Sequence, residues 1–463
     1  MDKIKFYNTL TRKKQEFKPL KNGFVGVYSC GPTVYWNQHI GHMYAYVQWD
    51  VLVRFLRYLG YRVKWVMNIT DVGHLTSDED AGEDKMEKGA KREGLSVWEI
   101  ADKYIKQFTN SLDLLNIKRP DVLCRATDHI KEQIALIKKI EKNGFAYKTK
   151  TGLVFDTTKF PDYAQFARLN LKKQFSGSRV EVDPEKKKPW DFLLWVTNQP
   201  EHIMKWESPW GTGFPGWHIE CTGMSTKYLG QKFDIHTGGK EHVPVHHTNE
   251  VAQAFGAFGS QTANFWLHND WLVIEGEKMS KSLGNMVTAQ DLAAKGFNPL
   301  ALRYLVLTSH YHQGLNFTWE GLGASQKALD SLYAKAVELK IAKPVRQGPN
   351  LKKYQKRFVE SLSQDLGVAQ ALALTWQMLK DKTLKPAEKY ELLVDFDRVL
   401  GLKIAQTRPQ SLAAPEAAKK LVEQRERLRQ EKKWAEADRI RQKVEKLGWR
   451  IEDTPKGTQL KKK

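Results

Sequence analysis

The spacing of apolar positions changes along the chain, and each spacing predicts a different element. The run Phe24-Val25-Gly26-Val27-Tyr28-Ser29 is β-prone and nearly continuous, follows Asn22-Gly23, precedes Gly31-Pro32, and predicts a strand. From about Gly41, apolar Val47, Val51, Phe55 and Leu59 recur at steps of four until Gly60, which predicts a helix. The stretch Arg62–Ile69 then predicts a second strand. Strand, helix and strand in this order wind right-handed into a parallel sheet, and ligands of such sheets lie outside the carboxyl ends of the strands. Cys30, the stretch His39 to His42 and Thr70-Asp71 are therefore expected on one rim.

Further on, residues 123–206 mix a helical run (Ile130, Ile134, Ile137, Ile140) with short strands such as Leu153-Val154-Phe155 and a charged piece from Lys172 to Lys188. This mixture predicts an insertion that splits the sheet, so that 1–122 and 207–270 form its two halves. A connecting region, 271–320, leads to 321–405, where spacing is helical and Leu392, Leu393, Phe396, Val399 and Leu400 make one stripe, predicting a bundle. A linker at 406–415, with Pro409 and Pro415, precedes a short basic piece at 416–463. There Trp434, Ala437, Ile440, Val444 and Leu447 make an apolar helical face. The expected fold class is α/β: a parallel sheet split by an insertion, then a helical bundle and a small carboxy-terminal domain.

Composition adds a partner and a compartment. Lys and Arg number 74 against 53 Asp and Glu, a net charge of +21, which favours a polyanion whose phosphates attract cations at long range. Three cysteines, Cys30, Cys124 and Cys221, lie too far apart for a disulfide framework and suit a reducing cytoplasm. The start Met1-Asp2-Lys3-Ile4 lacks a secretory apolar stretch, and no run approaches a membrane span, so no membrane partner is expected.

Two short signatures carry chemistry. His39-Ile40-Gly41-His42 lies between a predicted strand and helix, where unpaired N–H groups and positive partial charge favour phosphate. Glycine there permits close approach, and two imidazoles can donate to phosphate oxygens. Lys278-Met279-Ser280-Lys281-Ser282 places two ammonium groups three apart on a Ser- and Gly-bearing loop suited to a triphosphate and departing pyrophosphate. Both signatures, in this order on a split α/β chain, resemble those of class I aminoacyl-tRNA synthetases. The resemblance implies a Rossmann-like catalytic domain that makes an aminoacyl-adenylate from ATP, with Mg2+, and passes the acyl group to a tRNA. It implies catalytic roles for His39, His42, Lys278 and Lys281, with ATP held by His39, Gly41, His42 and Lys281, and a stem-contact role for 271–320.

The acid is read from a cysteine- and histidine-rich stretch. On a helix His246 and Glu250, four apart, project from one face, and with Cys221 and Cys30 they make a sulfur, nitrogen and oxygen set suited to zinc. By spacing alone His218, His236, His242 and His247 compete as ligands. Cys30-Gly31-Pro32-Thr33-Val34-Tyr35, Pro215-Gly216-Trp217-His218-Ile219-Glu220-Cys221 and His246 to Glu250 are similar to cysteinyl-tRNA synthetases, and the likeness covers essentially the whole chain. It implies one Zn2+ per chain on Cys30, Cys221, His246 and Glu250, and an amino-acid pocket with Thr70, Trp217 and His236. Its implied partners are L-cysteine, ATP and tRNA(Cys), acting on a monomer. Phe214, Val196 and Thr248 depart from residues common in that family, respectively arginine, lysine and glutamate.

The terminal piece, 416–463, is similar to that family's anticodon-binding domain, which implies Trp434 stacking on an unpaired base while Asp438, Arg441 and Asp453 read base edges. A related ligase that passes cysteine to an amino sugar would need no such domain. The intact signatures argue against a silent RNA-binding paralogue, and a methionine-specific relative would carry paired Cys-x-x-Cys zinc knuckles, which this chain lacks.

Overall fold

The computed structural model describes residues 3–72, 84–169, 171, 183–279, 284–340, 349–407, 416–446, 449–454 and 457–462. Two compact units divide the chain, one of residues 1–332 with 342–404 and one of 333–341 with 405–463.

In the first unit, a hairpin of β1 (Lys5–Asn8) and β2 (Lys13–Glu16) precedes β3 (Phe24–Ser29), helix α1 (Ile40–Tyr58), β4 (Arg62–Ile69) and β5 (Val122–Arg125). An antiparallel sheet of β6 (Ala146–Thr149), β7 (Gly152–Phe155), β8 (Phe192–Val196) and β9 (Phe214–Pro215) follows. Then β10 (Phe233–Gly239) and β11 (Ala263–Asn269) return to the first sheet, which is parallel in the order β11-β10-β3-β4-β5. The chain thus runs outward from β3 through β4 to β5, then crosses to the other side of β3 at β10. The crevice between β3 and β10 is the topological switch point, where open α/β sheets bind ligands. Both faces of β3 are covered, which is why its run is apolar rather than alternating.

Two strands fall across the expected boundaries. β5 extends the parallel sheet into 123–206, and β9 carries the antiparallel sheet past 206 by pairing Phe214 with Val196 and Pro215 with Trp195. A four-residue strand and a two-residue strand are too short to leave a period in the sequence.

Beyond β12 (Leu272–Ile274), its parallel partner β13 (Leu315–Phe317) and the helix Leu300–Leu307, the unit continues into helices ending with Pro386–Leu400. Phe358 and Phe396 stack at 4.1 Å in the helical core.

A buried ionic cluster ties these layers together. Asp50, on α1, accepts from Arg54 Nε and from Arg303 Nη2, each at 2.6 Å, and its other oxygen accepts from the Lys118 amide at 2.8 Å. The remaining guanidinium hydrogens go to carbonyls at helix ends: Leu400 and Leu115 from Arg303, Arg398 and Asn116 from Arg54. Such carbonyls have no partner within their own helices and sit at the negative end of the dipole. Two arginines therefore neutralise one carboxylate and two helix ends. Asp50→Ala should cost about 3–5 kcal/mol in denaturant unfolding, because it strands two buried cations, whereas Asp113→Ala, in an exposed pair with Arg119, should cost about 1 kcal/mol or less.

The second unit packs the helices Glu416–Gln430 and Trp434–Lys446 against an antiparallel hairpin of β14 (Trp449–Thr454) and β15 (Gly457–Lys462). Its core is Ala418, Val422, Val444, Trp449 and Ile451.

Candidate active site and metal centre

Cys30 leaves β3 at the switch point, its amide donating to Thr237 O of β10 at 3.1 Å. The next residue has to be glycine. A β carbon at Gly31 would lie 1.7 Å from the Asn68 carbonyl oxygen, and the Gly31 amide donates to Asn68 Oδ1 at 2.7 Å. This close approach sets Cys30 beside the end of β4, where Thr70 Oγ1 donates to Glu220 Oε2 at 3.0 Å. Cys221 lies on the helix Trp217–Leu229, His246 in a π-helical turn, Val243–His247, and Glu250 in the helix that follows.

The ligand atoms of Cys30, Cys221, His246 and Glu250 all lie within 4.8 Å of one another, and all four residues are buried. A second set shares Cys30 and Glu250 but substitutes His236 and His247. Hydrogen bonding separates the two. His236 Nε2 is 3.0 Å from Glu250 Oε2, and since a carboxylate only accepts, that nitrogen carries the proton and orients the carboxylate. His236 Nδ1 is buried without a partner, so the tautomer that would free Nε2 for a metal strands an N–H. His246 instead has His218 Nδ1 3.0 Å from its own Nδ1, which leaves Nε2 turned inward, 3.1 Å from Glu250 Oε1. That oxygen is itself buried and lacks hydrogen-bond geometry to any donor. Two sulfurs, one imidazole and one carboxylate oxygen thus converge as a donor set that fits a divalent metal.

The local charges agree. Burial would lower His246, but Cys221 and Glu250 outweigh it and hold the imidazole at about 10. Burial would raise Glu250, yet His236 and His246 bring it down to about 2. Cys221 is likewise raised by burial but brought to about 6 by the Cys30 hydrogen bond, while burial pushes Cys30 well up. An imidazolium between an anionic sulfur and a carboxylate occupies the place of a cation.

Behind this cluster run further contacts: Cys30 Sγ to His247 Nε2 at 3.2 Å, His247 Nδ1 to His268 Nε2 at 2.6 Å, and His268 Nδ1 to Thr9 Oγ1 at 2.7 Å. The half-buried Trp217 ring lies 4.5 Å from that of His246, at the mouth of the cluster, and His236 stacks on Trp266 at 4.3 Å.

At the amino end of α1, His39 and His42 form a reciprocal cap. His39 Nδ1 accepts from the Gly41 amide at 3.2 Å, and His42 Nδ1 accepts from the His39 amide at 3.3 Å. With both Nδ1 atoms accepting, each neutral ring carries its proton on Nε2, and burial holds His39 neutral, at about 4. The stacked rings, 3.7 Å apart, therefore present two N–H donors from one helix end. The second signature reaches the same place: a β carbon at Gly41 would lie 2.5 Å from Met279 Cε, and Ile40 donates to Val287 O at 2.8 Å. Lys278 is exposed, with its carbonyl held by Asn285 Nδ2 at 3.2 Å. Lys281 lies outside the described residues.

Sequence reasoning missed His268 and Glu241, and offered His218 only as a competing ligand. His218 orients His246, His268 orients His247, and Glu241 folds its carboxylate back over Gly239, where a β carbon would lie 2.2 Å from Oε1. Only Glu241 left a signal, an acid two residues after a Gly-Gly pair at a strand end. The family departures are absorbed by packing: Phe214 stacks on His202 at 3.9 Å, Val196 is buried, and Thr248 Oγ1 donates to Val243 O at 2.7 Å.

In the second unit, Trp434 is 57% exposed and Asp438 is exposed, whereas Asp453 is engaged by Arg425 at 2.9 and 2.8 Å and by Arg429 at 2.6 Å. Arg441 pairs loosely with Glu445 at 3.8 Å. Of the expected apolar face, Ala437, Ile440 and Val444 are buried, Trp434 is not, and Leu447 lies outside the described residues.

Residues 16–327 match the family described as tRNA synthetases class I (C) catalytic domain, and 413–460 match the Cysteinyl-tRNA ligase anticodon binding domain. The chain is 46% identical to cysteine-tRNA ligase 1 of Burkholderia lata, over 99% of this chain and 96% of that one. It is 42% identical to the cysteine-tRNA ligase of Treponema denticola, over 99% of both, and 40% identical to that of Thermus thermophilus, over 97% and 98%. Among solved structures, Mycobacterium tuberculosis methionyl-tRNA synthetase in complex with methionyl-adenylate shares the fold, with a TM-score of 0.57 at 16% identity over 84% of this chain and 92% of that one. A parallel sheet with its site at the switch point, two convergent signatures and full-length identity at this level place the chain in the cysteine-tRNA ligase family of class I aminoacyl-tRNA synthetases.

Proposed function

We propose that this ligase activates L-cysteine with ATP and Mg2+, releases pyrophosphate, and passes the cysteinyl group to the terminal adenosine of tRNA(Cys), with Zn2+ on Cys30, Cys221, His246 and Glu250 selecting the substrate thiolate. The observation that carries the reading is the convergence of those four buried donors at the switch point of the parallel sheet. Cysteine and serine differ little in shape, and a pocket judging shape alone separates near-isosteres poorly. When bound, zinc favours a thiolate, since a thiol of pKa about 8.5 is readily deprotonated on a metal and an alcohol is not.

The chain's own residues supply the rest. Nε2–H groups of His39 and His42 donate to phosphate oxygens, and Gly41 lets the nucleotide approach. Lys278 and Lys281 offset charge on the departing pyrophosphate. Thr70, Trp217 and His236 border the pocket and hold the amino acid against the α-phosphate, so positioning provides the rate. Residues 271–320 serve as the stem-contact region. Trp434, Asp438 and Arg441 meet the anticodon, while Asp453, clasped by Arg425 and Arg429, anchors the hairpin beside them. The match at 413–460 favours tRNA over an amino sugar as acceptor. The reading extends to a monomer working in the cytoplasm.

Transfer of labelled cysteine to total tRNA tests the whole reading; adenylate formation with no charged tRNA would sink it. Pyrophosphate exchange into ATP should require cysteine, and equal exchange with serine would remove the selection argument. Metal analysis should find one zinc per chain, and Cys221→Ser should lose both zinc and cysteine affinity; retention of both would refute the ligand set. In metal-free protein, Glu250 sits at about 2 against an ordinary 4.5, so its contribution is in place above that ordinary value and is lost as pH falls towards 2. Thermal unfolding of the chelated protein should show this acid loss, and Glu250→Gln should flatten it.

A further inference from the structure

We propose that Trp271 is a stacking platform for an unpaired base at the acceptor end of the RNA substrate, an inference that rests on the tRNA reading above. Trp49, Trp65, Trp195 and Trp266 are fully buried, whereas Trp271 is 53% exposed. An indole left this open forgoes apolar burial, yet its orientation is strongly fixed. Nε1 donates to Glu241 Oε2 at 3.0 Å, the amide donates to Asp270 Oδ1 at 2.8 Å, and the carbonyl accepts from Leu315 N at 3.0 Å. Gly314, at a φ of 68°, allows that approach, since a β carbon there would lie 2.7 Å from the Trp271 oxygen.

Its place in the fold points to substrate. Trp271 lies between the carboxyl end of β11 and the start of β12, on the rim of the parallel sheet, and β12 leads on to Lys278. Glu241, which grips its edge, is the carboxylate folded over Gly239 at the end of β10, and its charge acts on both His39 and Cys30. The hydrogen bond to Glu241 thus holds the indole at the carboxyl ends of β10 and β11, the rim where such sheets bind ligands. Beside it, Lys240 Nζ lies 5.3 Å from the ring centroid and 3.0 Å from Asp270 Oδ2. A half-exposed, anchored indole with a cation over one face suits a base and its phosphate, because every base offers a π face.

The test compares full-length wild type, Trp271→Ala and Trp271→Phe in tRNA charging and in pyrophosphate exchange. The alanine variant should raise KM for tRNA roughly tenfold, while KM for ATP and for cysteine in exchange and the melting temperature stay at wild-type values. The phenylalanine variant should restore charging. The fluorescence difference between wild type and Trp271→Phe should change on adding tRNA but not on adding tRNA trimmed of its unpaired 3′ nucleotides. An unchanged KM for tRNA overturns the inference, as does a raised KM for ATP in exchange, which would put adenine of ATP on the indole. Wild type that charges no tRNA would sink the acceptor reading itself, whereas normal wild-type charging with an indifferent alanine variant sinks this inference alone.

Discussion

The parallel pairing of β10 with β3 is the constraint on which the site depends. Ile235, His236 and Thr237 run beside Val27, Tyr28 and Ser29, and the register delivers the first residue beyond β3, Cys30, opposite the end of β10. More than two hundred residues of sequence separate these strands, and β4, β5 and the antiparallel sheet fill the interval. A slip of one residue would turn His236 to the other face and separate Cys30 from Glu250. The glycine at position 31, pressed on the Asn68 carbonyl, holds the same register from the β4 side.

Around that pairing the buried polar groups form one connected system rather than a set of isolated ligands. His236 orients Glu250, His218 orients His246, and the Thr9, His268 and His247 chain reaches Cys30 from behind. Such partners fix which atom of each side chain faces inward, and at a metal site their loss commonly costs roughly 10–100-fold in affinity. Further from the chemistry, the Asp50, Arg54 and Arg303 cluster fastens α1, whose cap and first turn carry His39 and His42, to the helix Leu300–Leu307 and to the end of the bundle. The two signatures therefore meet on a frame set by one buried carboxylate.

The sequence was most legible where a local pattern had a local cause. β3 occupies its predicted range because an apolar run bounded by Asn-Gly and Gly-Pro has few other readings, β4 fills the β-prone run after Gly60, and α1 ends where Gly60 breaks the step of four. The four-residue β5, the two-residue β9 and the π-helical turn before Glu250 leave no period to detect. The choice between His236 and His246 was also out of reach, since spacing admits both and only the partner on each ring's second nitrogen distinguishes them. Trp434 was hard for the opposite reason: it fits the apolar stripe of its helix, but the core is made by Ala418, Val422, Val444, Trp449 and Ile451 while Trp434 stays exposed. Glu241 and Trp271 matter through contacts with each other across 30 residues, which no single window contains.

The central claim is that the amino acid is chosen by a sulfur contact at a site made of Cys30, Cys221, His246 and Glu250. X-ray absorption at the zinc edge of the purified protein tests it most directly. Two sulfur, one imidazole and one carboxylate ligand are expected in the free enzyme, and one additional sulfur with L-cysteine but not with L-serine. A zinc shell without two protein sulfurs, or one indifferent to cysteine, would contradict it.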